Sequence, residues 1–269
     1  MPDPITLTID AGVAVLRLNR PERRNAISLA MRPLLNQLLR RANEANEVRA
    51  LILCGSGGSF CAGGDIDDMA SLGADGEAGR RRMRQTGDVA LMLSGMDVPV
   101  IAAVDGPAYG AGFGFAMAAD LVLVSPAARF CASFGRLGLV PDAGLHHALP
   151  RRVGVARAKQ LIFSAREIGA DEALRIGAAD EMHPAERLEE AALAHASAFA
   201  RASATAIGLS KAILNQSLTL DLRQVTEAET AAQALCFTTE YHAAARDRFT
   251  ARPARGEATD KTTGKVAGR

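Results

Sequence analysis

Four signals are scarce in this 269-residue sequence: a charge excess, disulfide-framework spacing, a leader-like pattern in the first residues and an unbroken apolar run of membrane length. Lys and Arg number 31 against 30 Asp and Glu, a formal charge of +1. That balance argues against a nucleic-acid or membrane surface as the main partner. Cys54, Cys61, Cys131 and Cys236 stand among apolar or small residues without framework spacing. They read as reduced thiols of a cytoplasmic protein. Met1-Pro2-Asp3-Pro4 has neither a basic n-region nor an apolar h-region, so no leader is expected there. The most apolar stretch, Val98 to Val124, is interrupted by Asp105, Pro107, Asp120 and several glycines, which excludes a membrane span. Histidine is scarce. The one close pair, His146-His147, has no carboxylate or cysteine at ligand spacing, so no metal centre is expected.

What is present is an alternation of strand and helix signals. Ile5 to Ile9 and Val13 to Leu18 alternate with period two around Asp10-Ala11-Gly12, which predicts a hairpin. Ser28 is a candidate N-cap for a helix carrying Leu29, Leu34, Leu35, Leu38 and Leu39. Apolar runs at Ala50 to Cys54, Val100 to Val104 and Leu121 to Val124 read as buried strands, with a shorter one near Arg129 to Ala132. A helix is expected from about Arg80 to Leu93, and a loop over Ser71 to Gly79. From Val155 onward the pattern is almost wholly helical, with segments at 156–163, 170–176, 185–201, 205–215 and 221–239. Together these elements predict an α/β layered fold. The arginine groups Arg20/Arg23/Arg24 and Arg80/Arg81/Arg82/Arg84 read as solvated faces.

Two glycine-rich turns carry the chemistry. Ser59-Phe60-Cys61-Ala62-Gly63-Gly64-Asp65-Ile66 follows the strand at Ala50 to Cys54. Asp105-Gly106-Pro107-Ala108-Tyr109-Gly110-Ala111-Gly112-Phe113-Gly114 follows the strand at Val100 to Val104. Each joins a buried strand to a helix start, so each can aim free backbone N–H groups outward. Two such donors meeting at one point form an oxyanion hole for a carbonyl oxygen that gains negative charge. The plainer account is tight turns and nothing more. Neither turn is a P-loop or a GxGxxG fingerprint, and no G-x-S-x-G elbow occurs.

Taken with Arg20-Pro21, Asn25-Ala26-Ile27, Pro99 to Gly106, Ala119-Asp120-Leu121, Leu137 to Gly144 and Leu149-Pro150-Arg151, these turns resemble the crotonase (enoyl-CoA hydratase/isomerase) superfamily over roughly residues 5 to 250. The resemblance implies a spiral of ββα units over residues 1–200, a helical oligomerisation region over 201–250 and a flexible tail over 251–269. It implies a homotrimer or a dimer of trimers, with alanine-rich helices such as 185–201 and 221–239 suited to that packing. It implies an acyl-CoA thioester as substrate, coenzyme A being part of that substrate and no separate cofactor being needed. By the same resemblance the amides of Gly64 and Ala111 bind the thioester oxygen. Arg24, Ala26, Ala62, Asp65, Ile66 and Arg252 are then contacts for coenzyme A, and Phe134 lines the acyl site.

The family's hydratases use two glutamates, and this chain has Gly114 and Phe134 at the corresponding places. Ordinary hydratase chemistry is therefore not expected. The resemblance is greatest to the isomerase branch that includes 1,2-epoxyphenylacetyl-CoA isomerase, where an aspartate matching Asp142 is the acid/base. One carboxylate suffices to shift a double bond: it removes a proton, the oxyanion hole holds the dienolate, and the proton returns two carbons away. Three alternatives stay open. Asp142 could merely cap a helix; His146 or Asp68 could replace the missing glutamates; or the protein could be a non-catalytic acyl-CoA-binding subunit.

Overall fold

The computed structural model describes residues 2–70 and 76–250. The first hairpin pairs β1 (Ile5–Asp10) with β2 (Val13–Leu18). Its two turn residues, Ala11 and Gly12, have φ of 46° and 82°, the double left-handed geometry that suits the twist of a two-residue hairpin. A single 3-10 turn at Pro21–Arg23 leads to α1 (Met31–Glu44), β3 (Ala50–Gly55) and α2 (Ile66–Ala70). Ser28 Oγ accepts from the Met31 N–H at 3.3 Å, so it serves the start of α1, although regular helix begins only at Met31. Next come α3 (Gly76–Gly95), β4 (Val100–Val104), β5 (Pro107–Tyr109), α4 (Ala111–Ala118), β6 (Leu121–Val124) and β7 (Arg129–Cys131). A 3-10 turn at Ser133–Leu137 precedes α5 (Leu145–Val153) and α6 (Val155–Ser164). The chain continues through β8 (Glu167–Gly169), α7 (Ala170–Ile176), β9 (Glu181–Met182) and α8 (Ala185–Ala200). It ends in α9 (Ala204–Gln216), α10 (Leu222–Phe237) and α11 (Glu240–Thr250).

A 6-stranded sheet runs β1-β2-β3-β4-β6-β9, antiparallel at its first pair and parallel thereafter. A 3-stranded sheet, β5-β7-β8, stands beside it. Period two divides the central strands between two cores. Ala50, Ile52 and Cys54 of β3 and Ile101 and Ala103 of β4 face α8, where Leu188, Ala192 and Ala196 cover them. Leu51, Leu53, Val100, Ala102 and Val104 belong to the larger core, built with α1, α3 and α4. Burial on both faces explains why these strands read as continuous apolar runs.

Three expectations need correction. Gly76 to Gly79, expected as loop, form the first turn of α3, while 71–75 lie outside the described residues. The pattern after Val155 is not wholly helical: β8 closes the small sheet and β9 the edge of the large one, both too short for a periodicity to register. The alanines of α8, expected to serve packing between subunits, instead allow this helix to lie close on the sheet of its own chain. By contrast α10 and α11 bury no residue. Among the described residues no helix is long and apolar enough to cross a membrane.

Candidate active site

The first turn is fixed from below by Asn25, which is fully buried. Its Nδ2 donates to the carbonyls of Ser56 (2.9 Å) and Ser59 (2.6 Å), and its Oδ1 accepts from the Arg20 N–H (2.8 Å). The Ile27 N–H donates to the Gly63 carbonyl (2.7 Å), and the Asp65 N–H donates to the Ile27 carbonyl (3.1 Å). Because peptide groups alternate along an extended segment, the N–H of the intervening Gly64 points the other way. The second turn is tied to the first where Cys61 N–H donates to the Pro107 carbonyl and Tyr109 N–H to the Cys61 carbonyl, both at 2.9 Å. Ala111 opens α4, so its amide has no carbonyl one turn back. Neither the Gly64 nor the Ala111 N–H donates to a protein acceptor among the described residues.

The close approach of the two turns depends on absent side chains. A Cβ on Gly63 would stand 2.9 Å from the Tyr109 carbonyl oxygen, and one on Gly112 would stand 2.3 Å from that of Cys61. Gly64 and Ala111 both line one cavity of about 590 Å³, lined also by Ala62, Ile66, Phe134 and Asp142. Phe134, buried in its 3-10 turn, forms part of the apolar wall.

Asp142 reaches the cavity from a turn in which Ala143 (φ 51°) and Gly144 (φ 71°) are both left-handed. Such a conformation costs a non-glycine residue about 1 kcal/mol or more and bends the chain sharply. The side chain of Asp142 does not cap α5, whose N-cap is Gly144 with no side-chain bond. One carboxylate oxygen, Oδ1, is buried without a hydrogen-bond partner. Burial pushes this carboxyl up to about 6, and the guanidinium charges of Arg32 and Arg82 only partly oppose the shift.

Arg32 of α1 and Arg82 of α3 line the same cavity. Arg32 is 2% exposed and Arg82 4%, so the expectation of a solvated face for the Arg80 to Arg84 group fails at Arg82. The signal was available. Arg82 shares one helical stripe with Thr86, Val89, Ala90 and Leu93, and Arg32 shares one with Leu35 and Leu39.

Gly114 cannot host a longer side chain as the chain is packed: a Cβ there would meet the Ala143 Cβ and carbonyl oxygen, each at 2.6 Å. His146 is exposed and does not line the cavity. Asp68 does not line it either; its carboxylate accepts from the Leu29 N–H. Cys61 is fully buried, and burial pushes its thiol up to about 12, which disqualifies it as a nucleophile.

The remaining expected residues divide. Asp65 binds Arg20 Nη1 (3.1 Å) and the Asp67 N–H (3.2 Å), so its carboxylate fastens the turn to the start of α2. Ala26 is buried. Arg24 is exposed with left-handed φ, and its carbonyl accepts from the Ala62 N–H (2.9 Å) and Ser59 Oγ (3.2 Å). Arg24, Ala26 and Asp65 flank the cavity-lining turn without lining the cavity. Arg252 lies outside the described residues.

A strand-turn-helix pair of this kind, set beside a mostly parallel sheet and closing with C-terminal helices, is the arrangement of the crotonase fold. A solved enoyl-CoA hydratase/isomerase from Cupriavidus metallidurans superposes with a TM-score of 0.87 and 38% identity, over 92% of this chain and 93% of that one. Residues 8–253 match the enoyl-CoA hydratase/isomerase family, and the chain belongs to that family. A probable enoyl-CoA hydratase of Rhodobacter capsulatus is 40% identical over 80% of this chain and 82% of its own. The 1,2-epoxyphenylacetyl-CoA isomerase of Escherichia coli is 33% identical over 78% of this chain and 81% of its own.

Proposed function

We propose that this enzyme moves a double bond in an enoyl-CoA, with the Asp142 carboxylate as sole acid/base and the Gly64 and Ala111 amides as oxyanion hole. Family membership supplies the acyl-CoA substrate class. One observation carries the rest: among the described residues one carboxylate lines the cavity, with an unpartnered oxygen and a pKa raised to about 6, and Gly64 and Ala111, whose amides have no protein acceptor, line it too. The carboxylate removes a proton from the carbon next to the thioester. Charge then builds on the thioester oxygen, where the two amides stabilise it; one such donor is worth roughly a hundredfold or more in rate. Asp142 returns the proton two carbons away. Unpaired cysteines, three of them buried, suit a cytoplasmic location.

The test is a 3-enoyl-CoA in deuterated solvent. Wild type is expected to incorporate solvent deuterium and yield the 2-enoyl isomer. Asp142→Asn is expected to bind the thioester with rates at least about a thousandfold lower; undiminished turnover in that variant would reject the reading. A second reading, hydration, is favoured by the name of the Rhodobacter relative. Against it stand the closed Gly114 position and the absence of His146 and Asp68 from the cavity lining. Loss of enoyl absorbance with crotonyl-CoA would favour hydration instead.

A further inference from the structure

We infer that the cavity takes an acyl group bearing its own carboxylate, held between Arg32 and Arg82. The inference rests on the acyl-thioester reading above and narrows its substrate class. Arginine is almost never fully buried unless paired, because stripping water from its charge is costly. Here two are buried side by side, at 2% and 4% exposure, in the wall of one cavity. Arg32 is held in orientation: its Nε donates to Thr86 Oγ1 (3.1 Å) and its Nη2 to the Ile27 carbonyl (3.3 Å). Among the described residues its Nη1 has no acceptor, and neither do Nε, Nη1 or Nη2 of Arg82.

No carboxylate of the described residues forms an ion pair with either guanidinium. Asp65, Asp68 and Asp142 contribute only longer-range attraction. Asp65 is taken by Arg20, and Asp68 accepts from the Leu29 N–H. Burial, with the repulsion from Arg82 beside it, pulls Arg32 down to about 10. A neutral hydroxyl or carbonyl would satisfy one or two of these donors and leave the charge in place. A carboxylate satisfies both needs, since its two oxygens match the planar guanidinium fork and its charge offsets the pair. Under the proposed function Asp142 acts on the acyl carbons, and both arginines share its cavity close enough to feel its charge, so the anion belongs to the acyl chain.

The experiment is calorimetric titration of the wild-type enzyme with saturated thioesters in matched pairs: succinyl- against butyryl-CoA, glutaryl- against valeryl-CoA, adipyl- against hexanoyl-CoA. In at least one pair the carboxylated member is expected to bind roughly tenfold to a hundredfold tighter. Arg82→Met is expected to erase that preference while leaving the neutral partner within about threefold of wild type, and Arg82→Lys to retain part of it. Three results overturn the inference and leave the acyl-thioester reading standing: no preference in any wild-type pair, a preference for the neutral members, or equal weakening of both members by Arg82→Met. Equal weakening would assign Arg82 to the coenzyme A moiety or to Asp142. The wild-type comparison decides even if Arg82→Met fails to fold. Saturated thioesters have no double bond to shift, so the preference is read whether or not Asp142 moves protons. Failure of every thioester to bind would instead overturn the acyl-thioester reading and this inference with it.

Discussion

Asp142 is costly where it sits, and the cost has a pH signature. A carboxyl held at about 6 instead of its ordinary 3.8 favours the fold only while protonated. Its contribution is complete below about pH 4 and is lost as pH rises through about 6. About two pKa units correspond to roughly 3 kcal/mol, and partial exposure reduces this to about 2. Asp142→Asn should therefore raise the chemical-denaturation stability by about 2 kcal/mol at pH 8. The gain should vanish near pH 4, as equilibrium unfolding at the two pH values will read. The same shift sets the rate profile under the proposed function. The base form is required, so kcat/KM for isomerisation should rise through about pH 6 and level above it. A variant both more stable and inactive is the expected mark of a residue placed for chemistry.

At the scale of elements, α9 is fastened to the core by Lys211, with Asn215 Nδ2 adding a bond to the Ser94 carbonyl (2.8 Å). Lys211 is buried, and its ammonium donates to Asp120 Oδ2 (2.7 Å) and to the carbonyls of Val98 (3.1 Å) and Leu93 (3.3 Å). Asp120 Oδ2 also accepts from the Val100 N–H at the start of β4 (2.7 Å). Breaking a fully buried pair costs about 3–5 kcal/mol; Asp120 still reaches water, so Lys211→Met should cost about 2 kcal/mol. Limited proteolysis should then cut first at the junction of α8 and α9, with the sheet still protected. The long apolar strands and the hairpin were legible in the sequence, because burial on two faces and period-two alternation leave strong patterns. The glycine turns were legible because close approach allows few residue types. What periodicity hid were β5, β8 and β9, at two or three residues each. The inward turn of Arg82 was readable from the helical stripe it shares with Val89 and Leu93, but the run of basic residues around it masked that stripe. Asp142 was found through resemblance alone, since nothing local distinguishes it from a helix cap.

The molecule as a whole leaves its C-terminal helices uncovered. Leu214, Leu218, Leu222, Phe237 and Phe249 are 58–82% exposed along α9 to α11 and the turn between α9 and α10. Apolar surface on that scale asks for a covering partner. The expectation of a trimer or dimer of trimers supplies one, in further copies of this chain. Light scattering should give a mass that is a multiple of three chains, and Leu222→Glu with Phe249→Asp should lower it to one; a wild-type monomer would refute the assembly. The contact between Gly114 and Ala143 bears on descent. An acid placed at 114 by substitution would not fit, because the residue next to Asp142 already fills that space. A lineage that settled into this arrangement would have to rebuild the Asp142 turn before water addition by the two-acid route became reachable again. The packing thus acts as a ratchet on the reaction repertoire.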